Sequence, residues 1–269
     1  MYLTLSHPNL IKTYNFIEIV ITLWLLTGCA TEVTTQEKSP EVSSTAIGDG
    51  LREAELLFNR RSDPENLRNA VKTLGRVRDP DKRNFEVEWK FSKYSYFLGK
   101  VETDQTKAAE IFEKGRDAGR IATRLEPEKP DGHFWFGANL GELAKMSPLT
   151  VGLKSVDDIR GAMDKVIATA PEYQGASAFD ALGQLEMATR SFKGGTAQRA
   201  VEYYQNGLSL SPDNANLHVH LAEAYLALKR DKDARKEIDT LLTMKPNPDY
   251  ATEHEQAVQK AKDLLAKNF

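Results

Sequence analysis

The sequence predicts an all-α solenoid of about five helical hairpins closed by a C-terminal capping helix, and three observations carry that expectation. The first is a doubled unit at Thr196 to Pro246. With Pro212 laid over Pro246, Ala200 falls on Ala234, Tyr204 on Ile238 and Gly207 on Leu241. The second is a series of proline stops at Pro80, Pro127, Pro171, Pro212 and Pro246, with spacings of 47, 44, 41 and 34, each ending a stretch that reads as helix. The third is a recurring helix pattern: Gly132-His133-Phe134-Trp135-Phe136-Gly137 set against His218-Val219-His220-Leu221-Ala222 places His133 over His218, Phe136 over Leu221 and Gly137 over Ala222. A small residue at that last place lets two helices approach closely.

The offset of the doubled unit, about 34 residues, is the period of a tetratricopeptide repeat, in which helices A and B pack as an antiparallel hairpin and neighbouring hairpins share one core. Only the last spacing is regular, so the earlier hairpins are read as lengthened and degenerate. Residues 51–269 are assigned to this repeat domain. In such a hairpin the helix A residues one step after the fourth and eighth places face the concave groove. Here these are Phe134 and Ala138, Asp180 and Gln184, and Val219 and Glu223, a mixture of apolar and acidic contacts.

Taken in order, the first hairpin is expected at Leu51 to Arg60 and Pro64 to Arg78, with Asp63-Pro64 as N-cap and first-turn proline. Asn84 to Leu98 is aromatic-rich, and its partner runs from about Asp104 to Leu125. Asp131 to Met146 follows, then a break at Ser147 to Leu153 marked by Pro148 and Gly152, and a new helix start favoured by Asp157-Asp158. Ala178 to Gln184 repeats the helix A pattern with Gly183 in the small position, and Gly194-Gly195 turns the chain into Thr196 to Leu210. Asp213 to Leu228, Asp233 to Met244 and the charged final helix Asp249 to Lys267 complete the stack, the last as a solubilising cap. Trp89, Tyr94, Phe134 and Trp135 exceed what short helices need for a spine, and core burial is their first expected fate.

The charge balance of 36 basic against 39 acidic residues, net −3, has no long run of one sign. Nucleic-acid binding draws its affinity from neutralised phosphates and has no footprint here. There is no serine elbow, HExxH, P-loop or dinucleotide fingerprint, so neither an enzyme nor a cofactor is expected. His218 and His220 stand two apart on a helix, roughly 200° around it, whereas a shared metal needs ligands three or four apart. His133 and His218 are therefore read as packing residues with a satisfied ring nitrogen, and no metal site is expected.

The one cysteine, Cys29, rules out an intrachain disulfide and directly follows Leu26-Thr27-Gly28 and the apolar run Ile19 to Leu26. That run is about half the ~20 residues of a membrane-spanning helix but suits the apolar part of a secretory signal. Leu26-Thr27-Gly28-Cys29 resembles a bacterial lipobox. The resemblance implies a signal peptide over 1–28, lipid attachment at Cys29, and a membrane anchor for a domain in the periplasm. Ala30 after the cysteine resembles lipoproteins sent to the outer membrane. The other reading is a buried or free cysteine after a short apolar segment. From 29 to 50 the chain is rich in Thr, Glu, Ser and Pro and is read as a flexible tether.

With this lipobox, the segments Gly132 to Gly141 and Ala178 to Gly183, the insertion at Ser147 to Leu153 and the Gly194-Gly195 turn before Arg199-Ala200, the chain resembles the TatT family, lipoproteins associated with TRAP-type solute uptake systems. The resemblance spans roughly Leu51 to Phe269. It implies a protein partner, namely a periplasmic substrate-binding protein, a hydrophobic small molecule passed through a pore, and a homo-oligomer, a trimer. The sequence departs from the pattern at Glu186, where a repeat would carry an aromatic or apolar residue. A general cell-envelope scaffold that assembles other proteins is the alternative, motivated by the repeats alone.

Overall fold

The structure, a computed structural model, describes residues 42–269. The signal peptide expected at 1–28, the expected lipidation site Cys29 and the part of the expected tether up to residue 41 lie outside the described residues. The described chain is α-helical: α1 (Ser44–Phe58), α2 (Pro64–Val77), α3 (Phe85–Val101), α4 (Gln105–Leu125), α5 (Pro130–Met146), α6 (Leu153–Thr169), α7 (Tyr173–Ala188), α8 (Ala197–Leu210), α9 (Ala215–Ala227), α10 (Asp231–Thr243) and α11 (Ala251–Asn268). Ten of these pair as five hairpins, and α11 packs across α9 and α10. Each odd helix from α1 to α9 also touches the next odd helix, whereas no even helix among α2 to α10 touches another even one. The odd helices are thus the inner layer along which successive hairpins meet. No described helix is long and apolar enough to cross a membrane.

Local capping chemistry sets most of the helix starts. The Asp63 carboxylate accepts the Glu65 N–H at 2.9 Å beside Pro64 in the first turn. Asn84 does the same for the Val87 N–H at 3.1 Å, Asp104 for Thr106 at 2.9 Å, Thr196 for Arg199 at 3.1 Å and Asn214 for Asn216 at 3.0 Å. Each such cap contributes about 1 kcal/mol.

Three boundaries differ from expectation. First, α1 begins at Ser44, inside the 29–50 stretch read as tether, because Ser43 Oγ caps it at 3.2 Å from the Ala46 N–H and Gly50 packs on Val77. Second, Ser147 to Leu153 is not a plain break. A π-helical turn, Pro148–Gly152, receives both the Val151 and Gly152 N–H groups on the Ser147 carbonyl and feeds straight into α6. Asp157 and Asp158 therefore lie one turn inside α6 rather than starting it. Third, α7 opens with Gln174, Gly175 and Ala176 at φ of 52°, 63° and 60°, a left-handed run that L-residues adopt only at a cost of about 1–2 kcal/mol each.

The doubled unit packs as its alignment requires: Ala200, Tyr204, Ala234, Ile238 and Leu241 are all buried, and Gly207 with them. The small helix A positions serve close approach. A Cβ on Gly183 would run into the Tyr204 ring, and one on Gly137 would lie 2.6 Å from Met163 Cε. His133 and His218 are equivalent in structure as in sequence. Their Nε2 atoms lie 2.9 Å from the Pro127 carbonyl and 3.0 Å from the Pro212 carbonyl, and since a carbonyl only accepts, Nε2 carries the proton in both.

Glu186 is 1 % exposed yet matched, which explains how an acid sits where the repeat favours an apolar residue. Arg160 from α6 and Arg199 from α8 each reach it at 2.8 Å, and the Thr196 N–H donates to it at 3.1 Å. Burial pushes its pKa up, but the Arg199, Arg160 and Thr196 hydrogen bonds outweigh that and hold it below the ordinary carboxylate value. Glu88 repeats the device between the first two hairpins, fully buried against Arg78 at 2.7 Å and Arg83 at 2.9 Å.

Candidate binding groove

An apolar, open cavity of about 460 Å³ is lined by residues of the odd helices α3, α5 and α7 together with α6. Its floor is built by residues whose helical spacing turns them inward: Tyr96 and Phe97 on α3, Phe134 and Trp135 on α5, Ile159 and Met163 on α6. Ala138 on α5 and Ala181 on α7 are too small to fill the space between these rings. That is the geometric origin of the void.

The aromatic rings form a continuous cluster. Phe97 and Tyr96 pack edge-on at 5.6 Å, both lean on Trp135 at 5.8 and 5.6 Å, and Phe134 meets Trp135 at 4.9 Å and Tyr173 at 5.5 Å. Trp135 is held in place by a hydrogen-bond relay: its Nε1–H donates to Tyr173 Oη at 3.2 Å, and that hydroxyl donates to Asp131 at 2.8 Å. Burial first, then the Asp131 charge and hydrogen bond, raise the Tyr173 pKa well above the ordinary phenol value, so the hydroxyl stays protonated and the relay keeps its direction.

The rim is polar and mostly acidic. Asp180 is buried, accepts from Gln184 Nε2 at 2.7 Å and lies 2.6 Å from His220 Nδ1 on α9. Burial, then the Glu142, Asp180 and Glu253 carboxylates, raise the Tyr96 pKa strongly. The left-handed run at Gln174 to Ala176 forms one lip, pinned where Asn214 Nδ2 donates to the Gly175 carbonyl at 2.7 Å. At the α11 end His254 faces the cavity, and its Nδ1 has no hydrogen-bond partner among the described residues.

Of the six groove residues named from sequence, Phe134, Ala138, Asp180 and Gln184 line this cavity. Val219 and Glu223 do not line it. Val219 is 1 % exposed, in one core cluster with Ala257 and Ala261 of α11, and Glu223 is held by Lys260 of α11 at 2.8 Å. The capping helix lies on the α9 face that a longer stack would leave open. Sequence spacing missed Tyr96, Met163, the left-handed lip and the Asp180–His220 pair, whose only advance signal was the glycine at 175. Trp89, one of the surplus aromatics, is half-buried, while Tyr94, Phe134 and Trp135 are buried. Among the described residues no cluster of three or more metal-ligating groups occurs.

Residues 51–268 match the family described as regulator of microtubule dynamics protein 1-3. Among solved structures, the tetratricopeptide-repeat protein TTC0263 of Thermus thermophilus is similar, with 15 % identity over 79 % of this chain and 99 % of that one and a TM-score of 0.56. MamA from residue 41 onwards of Desulfovibrio magneticus RS-1 is similar over 78 % of this chain and 98 % of that one, with 16 % identity and a TM-score of 0.50. At these identities the likeness shows the tetratricopeptide-type fold. None of the curated proteins compared with the chain matches it significantly.

Proposed function

The chain belongs to the regulator of microtubule dynamics protein 1-3 family, and we propose that it works as a helical-repeat scaffold that holds a partner protein in its concave groove, with an apolar group of the occupant entering the cavity. The observation that carries this reading is the aromatic cavity itself. It is open rather than sealed, and its Trp135 wall is held by the Trp135–Tyr173–Asp131 relay. Preformed apolar pockets with a few placed polar groups are the usual form of a binding site. The family's description speaks of microtubule dynamics, and we take from it the kinship of residues 51–268 and not the partner.

The finer reading is a lipoprotein anchored through Cys29 in the outer membrane and facing the periplasm, an accessory of a TRAP-type uptake system that docks a substrate-binding protein. Its support is the lipobox-like Leu26-Thr27-Gly28-Cys29 and the cavity, whose size and lining suit a hydrophobic small molecule. A trimer belongs to this reading. A general envelope scaffold shares the groove but needs no small molecule.

The test is capture from membranes with the full chain and with Ala138→Trp, which fills the cavity. Recovery of a solute-binding protein that is lost in Ala138→Trp supports the finer reading. A partner of another kind, lost in the same variant, leaves the general scaffold. A captured set that Ala138→Trp does not change sinks the groove as the binding surface. Acyl labelling that persists in Cys29→Ala would remove the anchor.

A further inference from the structure

Lys93 is the unexplained charge beside the groove. It lies on α3 between the Trp89 and Tyr96/Phe97 turns, partly buried, with its Nζ 5.1 Å from the centroid of the Phe58 ring and 5.6 Å from that of Trp135. No carboxylate or carbonyl among the described residues pairs with it, although its neighbour Lys90 is matched twice, by Glu55 at 3.0 Å and Glu86 at 2.9 Å. Arg61 stacks on the same Phe58 ring at 4.9 Å and on Phe97 at 5.6 Å, so a second cation approaches the site. Burial, followed by the Arg61 and Lys90 charges, lowers the Lys93 pKa, and the opposing Asp131 and Glu55 charges do not compensate. A cation held this way is costly unless something outside the fold matches it.

We propose that Lys93 is the recognition point for a carboxylate on the segment that lies in the groove. Lys93 does not itself line the cavity but lies against Trp135, which does, so Trp135 is the wall shared by the cavity and the ammonium. This rests on the groove reading above and adds the chemistry of its occupant. The charged groups on the cavity rim favour an anionic group on that side. Glu142, Asp180 and Glu253 are acids, and Lys145 is tied to Glu142 at 2.9 Å, so an anionic group is repelled from the α7 and α11 end and attracted at the α3 end. A single carboxylate neutralises Lys93; because Arg61 brings a second positive charge to the same Phe58 ring, phosphate is the competing anion, and the titration below separates the two.

The probe is N-acetylphenylalanine against its amide, at matched ionic strength and pH 7, titrated into the full chain while the Trp135 indole resonance is followed. The acid is expected to bind about ten-fold more tightly than the amide, a gap of ~1.4 kcal/mol. Lys93→Met brings the ratio to about one, Lys93→Arg keeps most of it, and inorganic phosphate competes poorly with the acid. Lys93→Met is also expected to melt higher than wild type without ligand, since it removes an unmatched charge, and Lys93→Gln serves if that variant does not fold. Failure of the acid to bind, equal binding of acid and amide, or a preference that survives Lys93→Met and Lys93→Gln overturns the proposal. Because the probe is small, that failure is separable from loss of partner capture in Ala138→Trp, which tests the groove itself.

Discussion

At the C-terminal end, α8 and α10 begin one repeat length apart, at Ala197 and Asp231, and their inward positions are filled by Ala200, Tyr204, Ala234, Ile238 and Leu241 with no room left over. Between α3 and α7 the helices lengthen to as many as 21 residues, a π-helical turn and a left-handed run interrupt the pattern, and the inner layer fails to close. The cavity lies in that second region. Regular repetition lets each hairpin fill its neighbour's groove, whereas added turns and small residues opposite aromatic ones leave a void.

Removing the same kind of side chain from each region puts a number on the contrast. Tyr204→Ala, in the closed region, is expected to cost about 4 kcal/mol in denaturant unfolding, because a ring with 1 % exposure leaves a sealed hole. Phe134→Ala, on the cavity wall, is expected to cost about 2 kcal/mol, since the ring already borders open space. Equal losses would mean that the cavity closes up in solution.

Glu186 joins the two regions through Arg160 and Arg199, so its loss should loosen the seam. Glu186→Gln is expected to cost about 2 kcal/mol at pH 7, less than a fully buried pair because both arginines reach solvent. The folded-state pKa is depressed, so the stabilisation is present above the ordinary value of 4.5 and is lost as pH falls through the lower folded value. Wild type should therefore lose its advantage over Glu186→Gln as pH falls below 4.5 and through the depressed folded-state value, read as converging melting curves. A gap that persists at the acid end would place the stabilisation elsewhere.

The smallest effect is at Lys229, exposed and at φ 59° just after α9. Lys229→Gly should raise stability by about 0.5–1 kcal/mol, because glycine adopts that helix-terminating conformation without a Cβ penalty. In the other region Gly175→Ala should lower it by about as much, at φ 63°. Thermal melting of the two variants reads both.

Much of the fold was legible because its determinants are local. Asp63-Pro64 announced a helix start through capping, the helices expected from Asn84, Asp104 and Thr196 begin right after those residues, and the offset between Pro212 and Pro246 announced the doubled unit. The site was legible in part: spacing along α5 and α7 pointed Phe134, Ala138, Asp180 and Gln184 inward. It failed on α9 for a reason the sequence does not carry at those positions, since Val219 and Glu223 are covered by α11, which follows only after the whole of α10.

The sequence by itself determined the succession of helices, their hairpin pairing and the equivalence of His133 with His218, all of which follow from caps, periodicity and repeat register within a few turns of chain. Only the tertiary structure decided that α6 grows out of a π-helical turn, that Glu186 is matched by two arginines from different helices, and that Tyr96, Trp135 and Met163 surround an open cavity. Those features depend on how far lengthened helices slide before their side chains meet, and that distance is set by packing across the stack rather than by any residue's neighbours in sequence.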